Sequence, residues 1–84
     1  MEITSSYQNQ GKVLVVDVGT KFDFSKVEDF RNAYGELGAD VSHITVDLSR
    51  TEYMDSSALG MLLNMQKTLA ERELTYSIEN ARPQ

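Results

Sequence analysis

The 84-residue chain contains no cysteine and no tryptophan, one proline, one histidine and five glycines. Without cysteine there can be no disulfide, no thiolate nucleophile and no thiolate metal site. One histidine leaves carboxylates to bind a metal, and no Asp-x-Asp-x-Asp-Gly loop occurs, so no metal is expected. Eight basic residues stand against thirteen acidic ones, giving a formal net charge of -5. The basic residues are scattered, which argues against nucleic acid and against an anionic membrane surface as partners. No apolar run approaches the ~20 residues that span a bilayer. The first seven residues show no basic stretch leading into an apolar one, so no signal peptide is visible and a cytoplasmic location is the expectation. Neither a P-loop nor Gly-x-Gly-x-x-Gly is present, and no nucleotide or other cofactor is expected. His43 has no nucleophile at a defined spacing and there is no Gly-x-Ser-x-Gly elbow, so the chain does not read as an enzyme.

What remains is enough for one small core. At 40% hydrophobic and 25% charged, the chain can offset the entropy of ordering and reads as one domain over residues 1–84. Residues 3–8 form a weak, polar strand candidate, and Asn9-Gln10-Gly11 supplies a turn. Residues 12–18 form a stronger strand, β-branched on both faces as in a strand covered on both sides. Val27, Phe30, Tyr34 and Leu37 then recur at helical spacing, with Ser25 and Glu28 placed as a capping box and an end near Gly35 to Gly38. Ile44, Val46 and Leu48 share one face of a second core strand. A second helix follows, with Leu59, Leu62, Leu63, Gln66, Leu69 and Ala70 on its inner side. Residues 74–79 read as a last strand. This alternation of strands and helices with short links predicts an α/β fold with parallel pairing.

The most informative residues lie where the second core strand passes through a short loop into the second helix. Asp55, Ser56 and Ser57 are all good N-cap residues, because their side-chain oxygens accept the unpaired amides of a first turn. Ser56, Ser57, Ala58 and Gly60 are small, so a hydroxyl there is open to another protein's active site. A helix N-terminus tolerates a phosphoryl group, and a phosphoserine would add roughly -1.5 to -2 charges beside Asp55. On local sequence alone Ser56 is an ordinary capping serine, Asp23 is as readily a turn residue, and Met54, Met61 and Met65 read as flexible packing.

Two motifs go further. Asp47-Leu48-Ser49, then Tyr53-Met54, then Asp55-Ser56-Ser57-Ala58-Leu59-Gly60 resembles the signature of the STAS domains of anti-sigma factor antagonists. Gly19-Thr20-Lys21-Phe22-Asp23-Phe24 is similar to the family's segment between its second strand and first helix. The resemblance covers about residues 11–80. It implies a small mixed sheet with helices packed on it, and a regulatory protein in transcription, stress or biofilm control. In such proteins the serine after the motif aspartate, here Ser56, is phosphorylated by a partner kinase, and a phosphatase reverses this. The unphosphorylated form binds the kinase-type anti-sigma factor, here through Asp23, Asp55, Ser57, Leu59 and Met61. The alternative that the resemblance leaves open is a structural STAS subunit of a transporter, lipid-trafficking or signalling complex. The chain departs from the family in Ala58, where glycine is frequent. It also stops after Asn80-Ala81-Arg82-Pro83-Gln84, where family members continue into a further helix. Either the chain is C-terminally truncated, or the surface left bare is covered by a partner or by a second copy in a homodimer.

Overall fold

A computed structural model describes residues 3–35, 37–38 and 40–79. In chain order the elements are β1 (Thr4–Gln8), β2 (Val13–Asp17), β3 (Lys21–Phe22), a 3-10 turn (Phe24–Lys26), α1 (Val27–Gly35), β4 (His43–Asp47), β5 (Tyr53–Met54), α2 (Ser56–Glu71) and β6 (Thr75–Glu79). Four strands make a mixed sheet in the order β1-β2-β4-β6, and β3 with β5 makes a separate two-stranded ladder. β2, β4 and β6 run parallel, as the alternating pattern predicts, and β1 returns antiparallel on β2. The tight hairpin between β1 and β2 places Asn9, Gln10 and Gly11 at positive φ, the backbone that such short connections demand.

The core lies on one side of this sheet. Leu14 and Val16 of β2 and Ile44 and Val46 of β4 point inward, with Val18 and Leu48 just beyond the strand ends. They meet Phe30 and Tyr34 of α1 and Ala58, Met61, Leu62, Met65 and Leu69 of α2. Phe30 stands edge-on to both Phe22 and Tyr34, with ring centroids 5.1 and 5.4 Å apart, a favoured geometry for aromatic pairs. Burying each such ring contributes about 1.5–3 kcal/mol. The Asn64 side-chain amide donates to the Tyr34 hydroxyl at 3.2 Å and joins the two helices.

Three expectations need correction. β2 alternates between buried and half-buried residues and is not covered on both sides. Its outer face, with Val13, Val15 and Asp17, belongs to an open, largely polar surface shared with His43 and Thr45. Both ring nitrogens of His43 are engaged there, with Thr75 Oγ1 at 2.7 Å and Ser77 Oγ at 3.0 Å, so the lone histidine ties β4 to β6. Next, α2 is rotated relative to the leucine pattern. Met61 and Met65 are buried, whereas Leu59 and Leu63 are more than half exposed and Ala70 is exposed. A leucine-weighted reading misplaces the face because methionine fills irregular gaps as well as leucine does. Finally, Ser25 does not cap α1. The helical path starts earlier, in the 3-10 turn, and Asp23 caps that.

The C-terminus of α2 explains how β6 begins. Glu73 takes a positive φ of 58°, the Leu74 amide donates to the Leu69 carbonyl at 2.9 Å and the Glu73 amide to the Ala70 carbonyl at 3.1 Å. This pair of bonds is a Schellman ending, which satisfies orphan carbonyls and turns the chain sharply. Leu74 packs beside the core as it does so. The segment 80–84, where the further family helix would start, lies outside the described residues.

Candidate functional site

The ends of β2 and β4 carry two loops, and a few main-chain and hydroxyl contacts stitch them together. Gly19 has a φ of 83°, a conformation that any side chain would strain, and its amide donates to Asp17 Oδ1 at 2.9 Å. The Gly19 carbonyl accepts from the buried Thr51 hydroxyl at 2.9 Å. The Thr20 carbonyl accepts from the amides of Glu52 at 2.8 Å and Tyr53 at 3.1 Å. Arg50 forks onto the Asp17 carboxylate at 3.0 and 3.2 Å, a bidentate geometry that fixes orientation. The chains then pair as β3 and β5, Lys21 against Tyr53 and Phe22 against Met54.

Asp23 follows Phe22 and Asp55 follows Met54, so the two carboxylates leave adjacent, in-register strands and begin the two helical segments. Each acts in the same way. Asp23 Oδ1 accepts from the Ser25 amide at 3.1 Å and the Ser25 hydroxyl at 2.5 Å. Asp55 Oδ1 accepts from the Ser57 amide at 3.0 Å, the Ser57 hydroxyl at 2.5 Å and the Ala58 amide at 3.2 Å. Asp23-Phe24-Ser25 and Asp55-Ser56-Ser57 are thus two copies of one Asp-x-Ser corner. The duplicated spacing is plain in the sequence and is the signal that sequence reasoning missed.

The middle residue of each corner points outward. Phe24 is 71% exposed, an unusual position for a phenylalanine and one that the sequence reading did not single out as a contact. Ser56 is the first residue of α2 and is exposed. Its hydroxyl has no hydrogen-bond partner among the described residues, because Asp55 caps the amides of the first turn and Ser57 gives its own hydroxyl to Asp55. The Asp23 carboxyl is held below its ordinary value, first by the Ser25 hydroxyl and further by the Ser25 amide and by Lys26 and Lys21, against an opposing effect of desolvation. Lys26 Nζ donates to the Lys21 carbonyl at 2.9 Å, which keeps that positive charge at the corner.

The structure therefore brings together Asp23, Asp55, Ser56 and Ser57. Leu59 is 59% exposed one turn along α2, on the same stripe as Ser56. Met61 differs. It is a core residue at 7% exposure, and only its edge reaches a groove of about 300 Å³ between the two corners, lined also by Phe24, Val27, Arg31, Ser57 and Gly60. Gly60 borders this groove, and nothing lies within 4 Å of where its Cβ would stand. Among the described residues no group of three or more His, Cys, Asp or Glu could hold a metal ion, and no helix is long and apolar enough to cross a membrane.

Comparison with known proteins places this arrangement. A family model described as MlaB, STAS domain, matches residues 5–84. A STAS-domain containing protein of Pseudomonas aeruginosa (strain UCBPP-PA14) is 34% identical over 84 residues, covering 100% of this chain and 83% of that protein. The fold matches that of the anti-sigma factor antagonist SpoIIAA of Bacillus. The TM-score is 0.75 for its unphosphorylated form at 21% identity and 0.74 for its phosphorylated form at 20%, each over 96% of this chain and 74% of the other. An anti-sigma factor antagonist from Mycobacterium paratuberculosis matches with a TM-score of 0.70 at 26% identity, over 92% of this chain and 66% of the other. The mixed sheet with two stitched loops at one end, and a sequence match running nearly from end to end, meet in one conclusion: the chain belongs to the STAS domain family.

Proposed function

We propose that this protein is a phosphorylation-switched binding module of the anti-sigma factor antagonist kind, without catalytic activity of its own. Unphosphorylated, it docks on a kinase-type anti-sigma factor or a comparable protein through Ser56, the two Asp-x-Ser corners and the exposed stripe of α2. Phosphorylation of Ser56 by that partner releases it, and a phosphatase restores binding. The observation that carries this reading is the exposed Ser56 hydroxyl at the first position of a helix whose cap is supplied by its neighbour Asp55. A hydroxyl in that setting contributes nothing to the cap, so it is available for chemistry at no cost to the fold.

The geometry also indicates what a phosphate would do. It would gain from the positive end of the helix macrodipole. It would not gain the Ser57 and Ala58 amides, which the Asp55 carboxylate already occupies. It would instead add roughly -1.5 to -2 charges beside an anion, so the effects on stability oppose each other and the change is read by the partner. Incubation with the cognate kinase should add one phosphate to Ser56, visible as a mass shift that Ser56→Ala removes. Ser56→Asp should weaken partner binding by about 100-fold or more, the scale of a disrupted charged contact, with an unchanged circular dichroism spectrum. Normal binding by Ser56→Asp would refute the switch.

A further inference from the structure

β6 is the last strand in the sheet order, and among the described residues nothing pairs with its outer side. Its phase can be read from two bonds. The Thr75 amide donates to the Ser42 carbonyl at 3.2 Å, and the Glu79 carbonyl accepts from the Leu48 amide at 2.9 Å. In a parallel ladder, alternate residues turn both main-chain groups to the same neighbour. Thr75, Ser77 and Glu79 therefore face β4, while Tyr76 and Ile78 present two N–H and two C=O groups outward. The strand Thr-Tyr-Ser-Ile-Glu contains no proline, lysine or bulge, the devices that normally blunt an edge.

This edge is complementary to itself. A two-fold axis perpendicular to the sheet beside Ser77 sets Tyr76 opposite Ile78 of a second copy, and Ile78 opposite that copy's Tyr76. Both are then hydrogen-bonded antiparallel pairs, each exchanging two bonds. Four bonds form, and every outward N–H and C=O of Tyr76 and Ile78 is used. Moving the axis to Tyr76 would bring Ile78 against Leu74, whose amide is already given to Leu69. The side chains agree with the main chain. Tyr76 and Ile78 are in register with the buried Ile44 and Val46, so they lie on the core side of the sheet, yet they are 38% and 37% exposed. The pairing places each aromatic ring beside a β-branched side chain twice over, a favourable cross-strand combination. The opposite edge, β1, offers only Ser5 and Tyr7 on that side.

We propose that two copies of this chain associate through antiparallel β6 edges, extending the four-stranded sheet into a continuous eight-stranded one. The contact is short, so the dimer is weak, with a Kd of about 10–500 μM, below the range of standard-size interfaces. Each copy carries a net charge of -5, so added salt should tighten association by screening.

Sedimentation of the full chain between about 10 μM and 1 mM should show a monomer–dimer equilibrium that shifts to dimer in salt. Ile78→Pro removes an outward N–H without touching the ladder to β4, an edge position that proline tolerates, and should leave a folded monomer. The cysteine-free chain permits a second test. At the two-fold axis the Ser77 Cα atoms would lie about 4.5 Å apart, within disulfide reach. Under mild oxidation Ser77→Cys should cross-link at least about tenfold faster than Ser6→Cys, the matching position on β1. A wild-type monomer throughout the concentration range would overturn the proposal. So would a dimer indifferent to Ile78→Pro, or equal cross-linking of the two cysteine variants.

Discussion

The two Asp-x-Ser corners share one capping scheme and differ most in the residue that each displays. They leave paired strands in register, cap with the same carboxylate oxygen and lock the same serine two residues on. One displays Phe24 and the other Ser56. The first is followed by a 3-10 turn and the nine-residue α1, the second by the 16-residue α2. A common scaffold thus presents an apolar knob beside an exposed hydroxyl. Under the proposed function, binding area and switching charge would fall on different residues, so one could change without the other. The comparison teaches that the two corners are held as one structural pair, so that under the proposed switch the contacts that join them are its most sensitive point.

The largest effect is expected where the pair is tethered. Thr51 is buried, and its hydroxyl meets the Gly19 carbonyl. Thr51→Val keeps the shape and leaves that carbonyl without its donor, which should cost about 1–3 kcal/mol in denaturant unfolding. If the two corners act as one unit, partner binding should fall in the same variant at temperatures where it remains folded. Unimpaired binding would show that the corners work separately.

The caps come next. Asp55 satisfies two amides and a hydroxyl at the head of the longer helix, so Asp55→Ala should cost about 1–2 kcal/mol, with most of this recovered in Asp55→Asn. Asp23→Ala removes one amide bond and one hydroxyl bond at an exposed turn and should lower the melting temperature less than Asp55→Ala does. Equal thermal shifts for the two variants would contradict the ranking. Phe24→Ala sharpens the contrast from the other side. With so exposed a ring its stability change should be within about 0.5 kcal/mol, whereas partner binding should weaken by about tenfold, as for an aromatic contact at an interface.

Much of this was legible in the sequence. The six main elements follow from period and punctuation. The alternation of Ile44, Val46 and Leu48, and the helical spacing of Phe30 and Tyr34, report the core face directly because burial selects apolar side chains at those intervals. Asp55, Ser56 and Ser57 were legible as a helix start because capping chemistry is local. What was not legible depends on contacts distant in sequence. The pairing of Lys21–Phe22 with Tyr53–Met54 joins residues 32 apart, and two-residue strands leave no periodicity to detect. The depth of Met61, the exposure of Leu59 and the structural role of His43 likewise depend on how α2 and β6 settle against the sheet, which residue type alone does not fix.

The smallest expected effect concerns protons at the first corner. The Ser25 hydroxyl, foremost among the causes, stabilises the ionised Asp23 carboxylate and sets its folded pKa below the ordinary 3.8. A lowered folded pKa means that the unfolded chain binds the proton more readily. The contribution is therefore complete above about 3.8 and is lost as pH falls through the lower folded value. The stability difference between wild type and Asp23→Asn should stay constant from about pH 5 to 8 and shrink below 3.8. In Ser25→Ala the Asp23 titration, followed by carboxyl NMR, should move back toward 3.8. If it stays depressed, the nearby lysines and not the corner hydroxyl set the charge beside Phe24, and the likeness between the two corners would be one of shape alone.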